Sequence, residues 1–194
     1  MGKISGKNRD ILIALILVGI VIAAAGSYLL YRHFFEKYLT YEDRMYGLKI
    51  DHPADWPTAF EHKMIKENRV INIIAFLTPD NKPGDIDNFV NIIAYPVPQG
   101  VSLPDHVANE IVDMQTFYRG FQMLDSSDTT LGGLPAHRLV YTFSQGGIEY
   151  KKLQIHVLKG QQGYALGYLQ DSKNYGWYMR QVEKMAKSFE FTKP

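Results

Sequence analysis

The stretch TTLGGLPAHRLVYTF, residues 129–143, sets two glycines and a proline directly before an alternating apolar run. Gly132 and Gly133 can adopt φ > 0 and Pro135 holds φ near −65°, so the segment predicts a tight turn leading into a strand. Along that strand Leu139, Tyr141 and Phe143 share one face, and Arg138, Val140 and Thr142 share the other. A glycine-rich turn can also cradle a phosphate. Phosphate loops, however, deliver backbone N–H groups from a helix N-terminus, and this turn runs into a strand, so it reads as structural.

Working outward, further strands are expected at about 121–127, 137–144, 148–158 and 162–169. Upstream, MYGLKID (45–51) alternates and reads as the first strand, broken at HPADWP (52–57), and TAFEHKMI (58–65) reads as a second. VINIIAFL (70–77) and NFVNIIAY (88–95) are apolar on both faces, as central strands covered on each side should be. Both contain NIIA, at 72–75 and 91–94. Two copies do not make a repeat architecture; neighbouring strands under similar packing demands explain them better.

Two helices complete the pattern. Ser102 is placed to cap the first, with Asp105 three residues on, and Val107, Ile111, Met114 and Tyr118 recur at helical spacing before Gly120 ends the run. The second starts near Ser172, and its stripe of Tyr178, Val182, Met185 and Phe189 repeats the same offsets. One apolar face per helix suits the covering of a sheet. The expected class is α+β, a mostly antiparallel sheet flanked by two helices.

The 194 residues fall into two parts. Residues 11–30, ILIALILVGIVIAAAGSYLL, carry no charge, and twelve of them are Leu, Ile or Val. As a helix they would span roughly 30 Å, the hydrocarbon thickness of a bilayer. Lys3, Lys7 and Arg9 precede the run, which favours a cytoplasmic N-terminus, and Tyr28, Tyr31, Phe34, Phe35 and Tyr38 resemble an interfacial aromatic belt. The competing reading is a signal peptide cleaved after Ala23-Ala24-Ala25, which would leave a greasy new terminus at Gly26. The expected organisation is a short cytoplasmic tail (1–10), a transmembrane anchor (11–31), a tether (32–44) and an extracytoplasmic domain (45–194).

Composition narrows the chemistry. The chain has no cysteine, which excludes a disulfide scaffold, a thiol nucleophile and cysteine-ligated metal centres. Residues 41–194 hold 16 Lys and Arg against 18 Asp and Glu, a formal charge of −2, so nucleic acid is not an expected partner. None of G-x-G-x-x-G, G-x-x-x-x-G-K-[ST], G-x-S-x-G and H-E-x-x-H occurs. The six histidines, His33, His52, His62, His106, His137 and His156, form no i, i+3 or i, i+4 pair, so any metal site would draw on distant segments. His52 and His62 flank the Trp56 turn with Asp51, Asp55 and Glu61 nearby, the makings of a weak metal or general-base site, although solvated loop residues are the better reading. DNKPGDIDN (80–88) carries Asp80, Asp85 and Asp87, but Phe89 and Val90 stand where an EF-hand loop needs an oxygen ligand and a glycine. No catalytic or metal-ligating residue is assigned, and no cofactor-binding residue is identified.

YGLKIDHPADW (46–56), SLPDHV (102–107), the opening stretch and VEKMAKSFEF (182–191) together resemble the PsbP family in order, across roughly residues 40–192. The shared pattern is an aromatic-Gly strand running into a Pro-x-x-Trp turn, a Gly-Gly-x-Pro-Ala turn with a Tyr-Thr strand, and a terminal helix ending in Ser-Phe. The resemblance implies an α/β/α sandwich around a central antiparallel sheet. It also implies an accessory role without turnover, with at most a loosely held divalent cation such as calcium. The family includes the extrinsic lumenal protein of photosystem II, from which the uncharged N-terminal run here departs. The expected function is a membrane-anchored, non-catalytic accessory domain that binds a protein partner on the extracytoplasmic face. The alternative is a metal- or small-ligand-binding protein or enzyme with a dispersed site. A pocket lined by two or more histidines or carboxylates would favour that alternative.

Overall fold

The computed structural model describes residues 6–35, 37–65, 70–82 and 87–192, and within the first helix, α1 (Gly6–Phe35), the side chains of residues 13–27. The chain divides into two compact units, Met1–Lys37 and Tyr38–Pro194. Among the described residues no helix is long and apolar enough to cross a membrane. The anchor expected over 11–31 lies within α1, with the side chains of residues 11–12 and 28–31 outside the described ones; residues 1–5 of the expected tail and residue 36 of the tether lie outside the described residues.

The second unit is α+β with two antiparallel sheets. Its strands are β1 (Tyr38–Asp43), β2 (Leu48–Pro53), β3 (Thr58–Ile65), β4 (Val70–Leu77), β5 (Phe89–Pro96), β6 (Gln122–Leu131), β7 (Leu134–Gln145), β8 (Ile148–Lys159), β9 (Gln162–Asp171) and β10 (Glu190–Phe191). Helix α2 (Leu103–Phe117) joins β5 to β6, and α3 (Met179–Ser188) precedes β10. A seven-stranded sheet runs β3-β4-β5-β9-β8-β7-β6, and a three-stranded one runs β1-β2-β10.

Strand alternation sorts the large sheet into two faces. Val90, Ile92 and Ala94 of β5, Tyr164, Leu166 and Tyr168 of β9, and Leu153, Ile155 and Val157 of β8 point one way, into a core shared with Leu48 and Ile50 of β2 and Val182, Met185 and Phe189 of α3. Leu139, Tyr141, Phe143 and Tyr150 point the other way, onto Val107 and Met114 of α2. One face is therefore covered by α3 and the small sheet, and α2 packs on the β7–β8 part of the other. Ser102 caps α2 as expected, its Oγ accepting the Asp105 N–H at 3.3 Å.

The opening stretch turns at Gly132 and Gly133, with φ of 59° and 77°. At Gly132 a Cβ would lie 2.7 Å from Phe191 Cδ2 and 3.1 Å from Phe189 Cδ1, so the glycine lets the β6–β7 turn close over the aromatic end of the chain. At Gly133 a Cβ would meet open space.

Three boundaries differ from the expectation. Residues 38–43, expected within the tether, form β1 and pair with β2 from Tyr38↔Pro53 to Asp43↔Leu48. The first strand expected from residue 45 starts at Leu48, because residues 44–47 make the hairpin turn: buried Asp43 accepts the Tyr46 N–H at 2.9 Å, and Gly47 has φ 58°. The last helix starts at Met179, not near Ser172, because residues 172–174 form a turn and Tyr175–Trp177 a 3-10 segment before it.

Candidate functional site

On the α2 face of the large sheet, small buried residues of β9 make room for the side chains of the strands beside it. Gly163, Ala165 and Gly167 alternate along β9 on this face, opposite Tyr95, Ile93 and Asn91 of β5 and Leu158, His156 and Gln154 of β8. Tyr95 lies across Gly163: a Cβ there would collide with its ring, 2.6 Å from Cζ. At Gly167 a Cβ would be 2.5 Å from Asn91 Oδ1, and Asn91 in turn donates to Asn72 Oδ1 at 2.6 Å.

Between the sheet and α2 runs a groove of about 560 Å³, lined on the helix side by His106, Glu110, Asp113, Met114 and Phe117. Residues 106, 110, 113 and 117 are spaced at helical i, i+4, i+7 and i+11, so they share one face of α2. The sheet contributes Val70, Ile93, Tyr95, Tyr141 and Gln154. Phe117 is 79% exposed at the groove and Val112 is also exposed on the same helix.

A hydrogen-bonded chain passes from the groove into the sheet. His106 Nε2 lies 2.8 Å from the Tyr95 hydroxyl, which lies 3.1 Å from Nδ1 of fully buried His156. The single phenol proton can go to only one imidazole, so the other imidazole donates to the phenol oxygen. In either arrangement His156 Nε2 is buried without a partner among the described residues. Burial, then the neighbouring His106, Lys152 and His137, push His156 down to about 3, and burial also lowers His106, so both rings are neutral at neutral pH. Burial and the Glu110 charge raise Tyr95. Glu110 itself is half-buried and raised, by burial and then by Asp113, with Lys152 opposing. Tyr141 donates to Gln154 Oε1 at 2.7 Å within the sheet.

The residues singled out in the sequence lie elsewhere. His52 is stacked on Phe76, ring centroids 4.1 Å apart, with Nδ1 3.0 Å from the Pro53 carbonyl. His62, at φ 47°, meets Asp43 instead. Desolvation works to raise Asp43, but the Tyr46 N–H, His62 and Tyr41 outweigh it and hold the carboxyl low. Glu61 accepts from Tyr41 at 2.8 Å and Asp51 from Thr40 at 2.6 Å. These side chains tie β1 to β2 and β3: the Tyr41 hydroxyl links Glu61 to the Asp43 carboxylate that His62 also meets, while His52 and Asp51 have other partners. Asp80 accepts from buried Gln170 at 3.1 Å, and Asp85 lies outside the described residues, as does the side chain of His33. His137 sits between Ser126 and Asp128, at 2.8 Å from each. Among the described residues no group of three or more histidines and carboxylates is placed to hold a metal ion.

The sequence reading missed Tyr95, Glu110, Asp113 and the meeting of His106 with His156. The signals were present: the helical spacing of 106, 110, 113 and 117, and the small residues at 163, 165 and 167. Neither says which strands lie side by side.

No protein-family model matches the chain, and no curated protein matches it. Solved structures do. Cyanobacterial PsbP (CyanoP) from Synechocystis aligns over 81% of this chain and 94% of its own, with a TM-score of 0.59 and 13% identity. LpqN of Mycobacterium tuberculosis, described as involved in cell envelope biogenesis, aligns over 84% and 95%, with a TM-score of 0.55 and 16% identity. The fold is PsbP-like.

Proposed function

We propose that this chain is a single-pass, membrane-anchored binding domain without turnover, which presents the α2 groove to a ligand or partner on the extracytoplasmic side. The observation that carries the reading is the groove itself, whose lining by His106, Glu110 and Asp113 meets the condition set for the small-ligand-binding alternative and so moves the reading from a protein-only accessory surface towards a ligand site. The groove is open, of small-molecule size, and combines a half-buried carboxylate and an imidazole with exposed Phe117. Its polar groups suit binding more than attack, since the Tyr95 and Tyr141 hydroxyls are held by imidazoles and an amide. The anchor rests on the uncharged run 11–30 with Lys3, Lys7 and Arg9 before it. Tethering raises the effective concentration towards partners in the same membrane, so a modest interface suffices.

Two measurements test this reading. Intact N-terminal peptides should stay with membranes through alkaline extraction; a mature chain starting at Gly26 would remove the anchor from it. Deleting residues 1–37, which spares β1, should leave a folded domain whose groove still binds but whose membrane association is lost. The His106–Tyr95–His156 chain favours a second reading, an enzyme that relays a proton along it. Turnover by the full chain, abolished in His106→Ala, would replace the binding reading.

A further inference from the structure

We propose that the α2 groove takes an organic ammonium ion with an apolar body, with Glu110 as its counter-ion; this rests on the groove being the receiving surface. Charge and aromatic faces coincide there. Glu110 is half-buried and Asp113 follows three residues on along the same helix face. Among the described residues neither forms an ion pair. The groove therefore holds one carboxylate partly stripped of water, Glu110, beside the exposed Asp113, and supplies no cation at contact distance. Lys152 on β8 acts on Glu110 only through its field, and the raised proton affinity of Glu110 is what such an arrangement produces.

Beyond the field of Lys152, no group facing the groove offsets this charge, because His106 and the His156 behind it are neutral. Four aromatic rings, of Tyr95, Phe117, Tyr118 and Tyr141, line the same space. Ring faces attract ammonium groups, most strongly where water is excluded. An incoming ammonium would pair with Glu110 and lie against these rings, while its apolar body covers Val70, Ile93 and Met114. A carboxylate ligand would meet two like charges, and a neutral one would leave Glu110 buried and unpaired. The ammonium can belong to a free amine or to a lipid headgroup, which share this chemistry.

The test is calorimetric titration of the full chain in a nonionic detergent with 2-phenylethylammonium, 2-phenylethanol and 3-phenylpropionate. The ammonium should bind about tenfold or more tighter than the other two, and Glu110→Gln should weaken it about tenfold, the scale of one charged contact. Glu110→Gln should not lower the melting temperature, since it removes a desolvated charge without changing shape; that separates lost binding from lost folding. Equal binding of alcohol and ammonium, with Glu110→Gln unchanged, overturns the cation and leaves the groove as the receiving surface. Binding that survives both Glu110→Gln and Phe117→Ala, or no binding of any probe, overturns both readings. Displacement of the ammonium by monomeric dodecylphosphocholine and not by choline assigns the lipid source; displacement by choline alone assigns a free amine.

Discussion

Replacing Gly163 with alanine should displace Tyr95 and unseat the hydrogen-bonded chain behind the groove. Without a steric conflict, alanine for glycine in a strand gains about 0.5–1 kcal/mol. Here the new methyl would lie 2.6 Å from Tyr95 Cζ and 2.7 Å from Cδ2, well inside the ~3.5–4.0 Å of carbon contact. The ring has to move while Tyr95 is buried and hydrogen-bonded to His106 and His156. Overpacking of this kind costs about 1–3 kcal/mol, and leaving buried His156 without its remaining partner adds about 1–3 kcal/mol. The net loss is then about 1–5 kcal/mol, or roughly 2–20 °C in melting temperature for a domain of this size. Urea unfolding followed by near-ultraviolet circular dichroism, which reports the tyrosines, measures it. The control is the same substitution made in Tyr95→Ala, where no ring is left to strike and Gly163→Ala should become neutral or stabilising. An equal cost in both backgrounds, or a single variant as stable as the parent, would refute the argument that Gly163 exists to seat Tyr95.

Gly132→Ala and Gly133→Ala share a left-handed backbone strain of about 1 kcal/mol. Only Gly132 also drives a methyl into Phe191 and Phe189, for about 1–3 kcal/mol more, so thermal melts that coincide would contradict the packing described. His156 should make the protein acid-sensitive: its folded value of about 3 lies below the unfolded ~6.5, so the unfolded chain takes up a proton that the fold refuses, and stability falls with pH below about 6.5. Between pH 7.5 and 4.5 the loss is about 2–3 kcal/mol by denaturant titration, and His156→Gln should remove that part of the slope. Burial-raised Glu110 contributes with the opposite sign, but it is common to both proteins and cancels in the difference. Asp43→Ala, which strips buried partners from the Tyr46 N–H, His62 and Tyr41, should cost about 2–3 kcal/mol and increase amide exchange in β1.

Much of the fold was legible because it follows from short-range patterns. The alternation of Leu139, Tyr141 and Phe143 gives β7 its face, and the two apolar stripes give α2 and α3 theirs. What failed was local where two signals competed. Residues 38–43 and 48–53 form a hairpin, but the first half shows no alternation and reads as a tether, since only buried Asp43 and the half-buried Tyr41 tie it to the domain core. The two-residue β10 is too short to carry any period, and it exists because Glu190 and Phe191 find an open edge on Lys49 and Leu48.

The site was illegible for a different reason, which also explains its form. Tyr95 and His156 are 61 residues apart and His106 is eleven from Tyr95, so their meeting depends on β5 and β8 both flanking β9. That order arises because the chain leaves the sheet after β5 through α2, re-enters at the far edge with β6, and builds three hairpins inward until β9 closes against β5. The same excursion puts α2 over β7 and β8 and brings His106 of α2 within 2.8 Å of the Tyr95 hydroxyl on β5. The small residues of β9 serve that meeting. Gly163 and Gly167 are buried, and a Cβ at either would strike Tyr95 or Asn91 of the neighbouring strand. A core packed to ordinary density leaves no slack for such side chains unless the strand beside them gives up its own. The glycines therefore seat Tyr95, and Tyr95 in turn forms the wall of the groove beside His106 and Glu110.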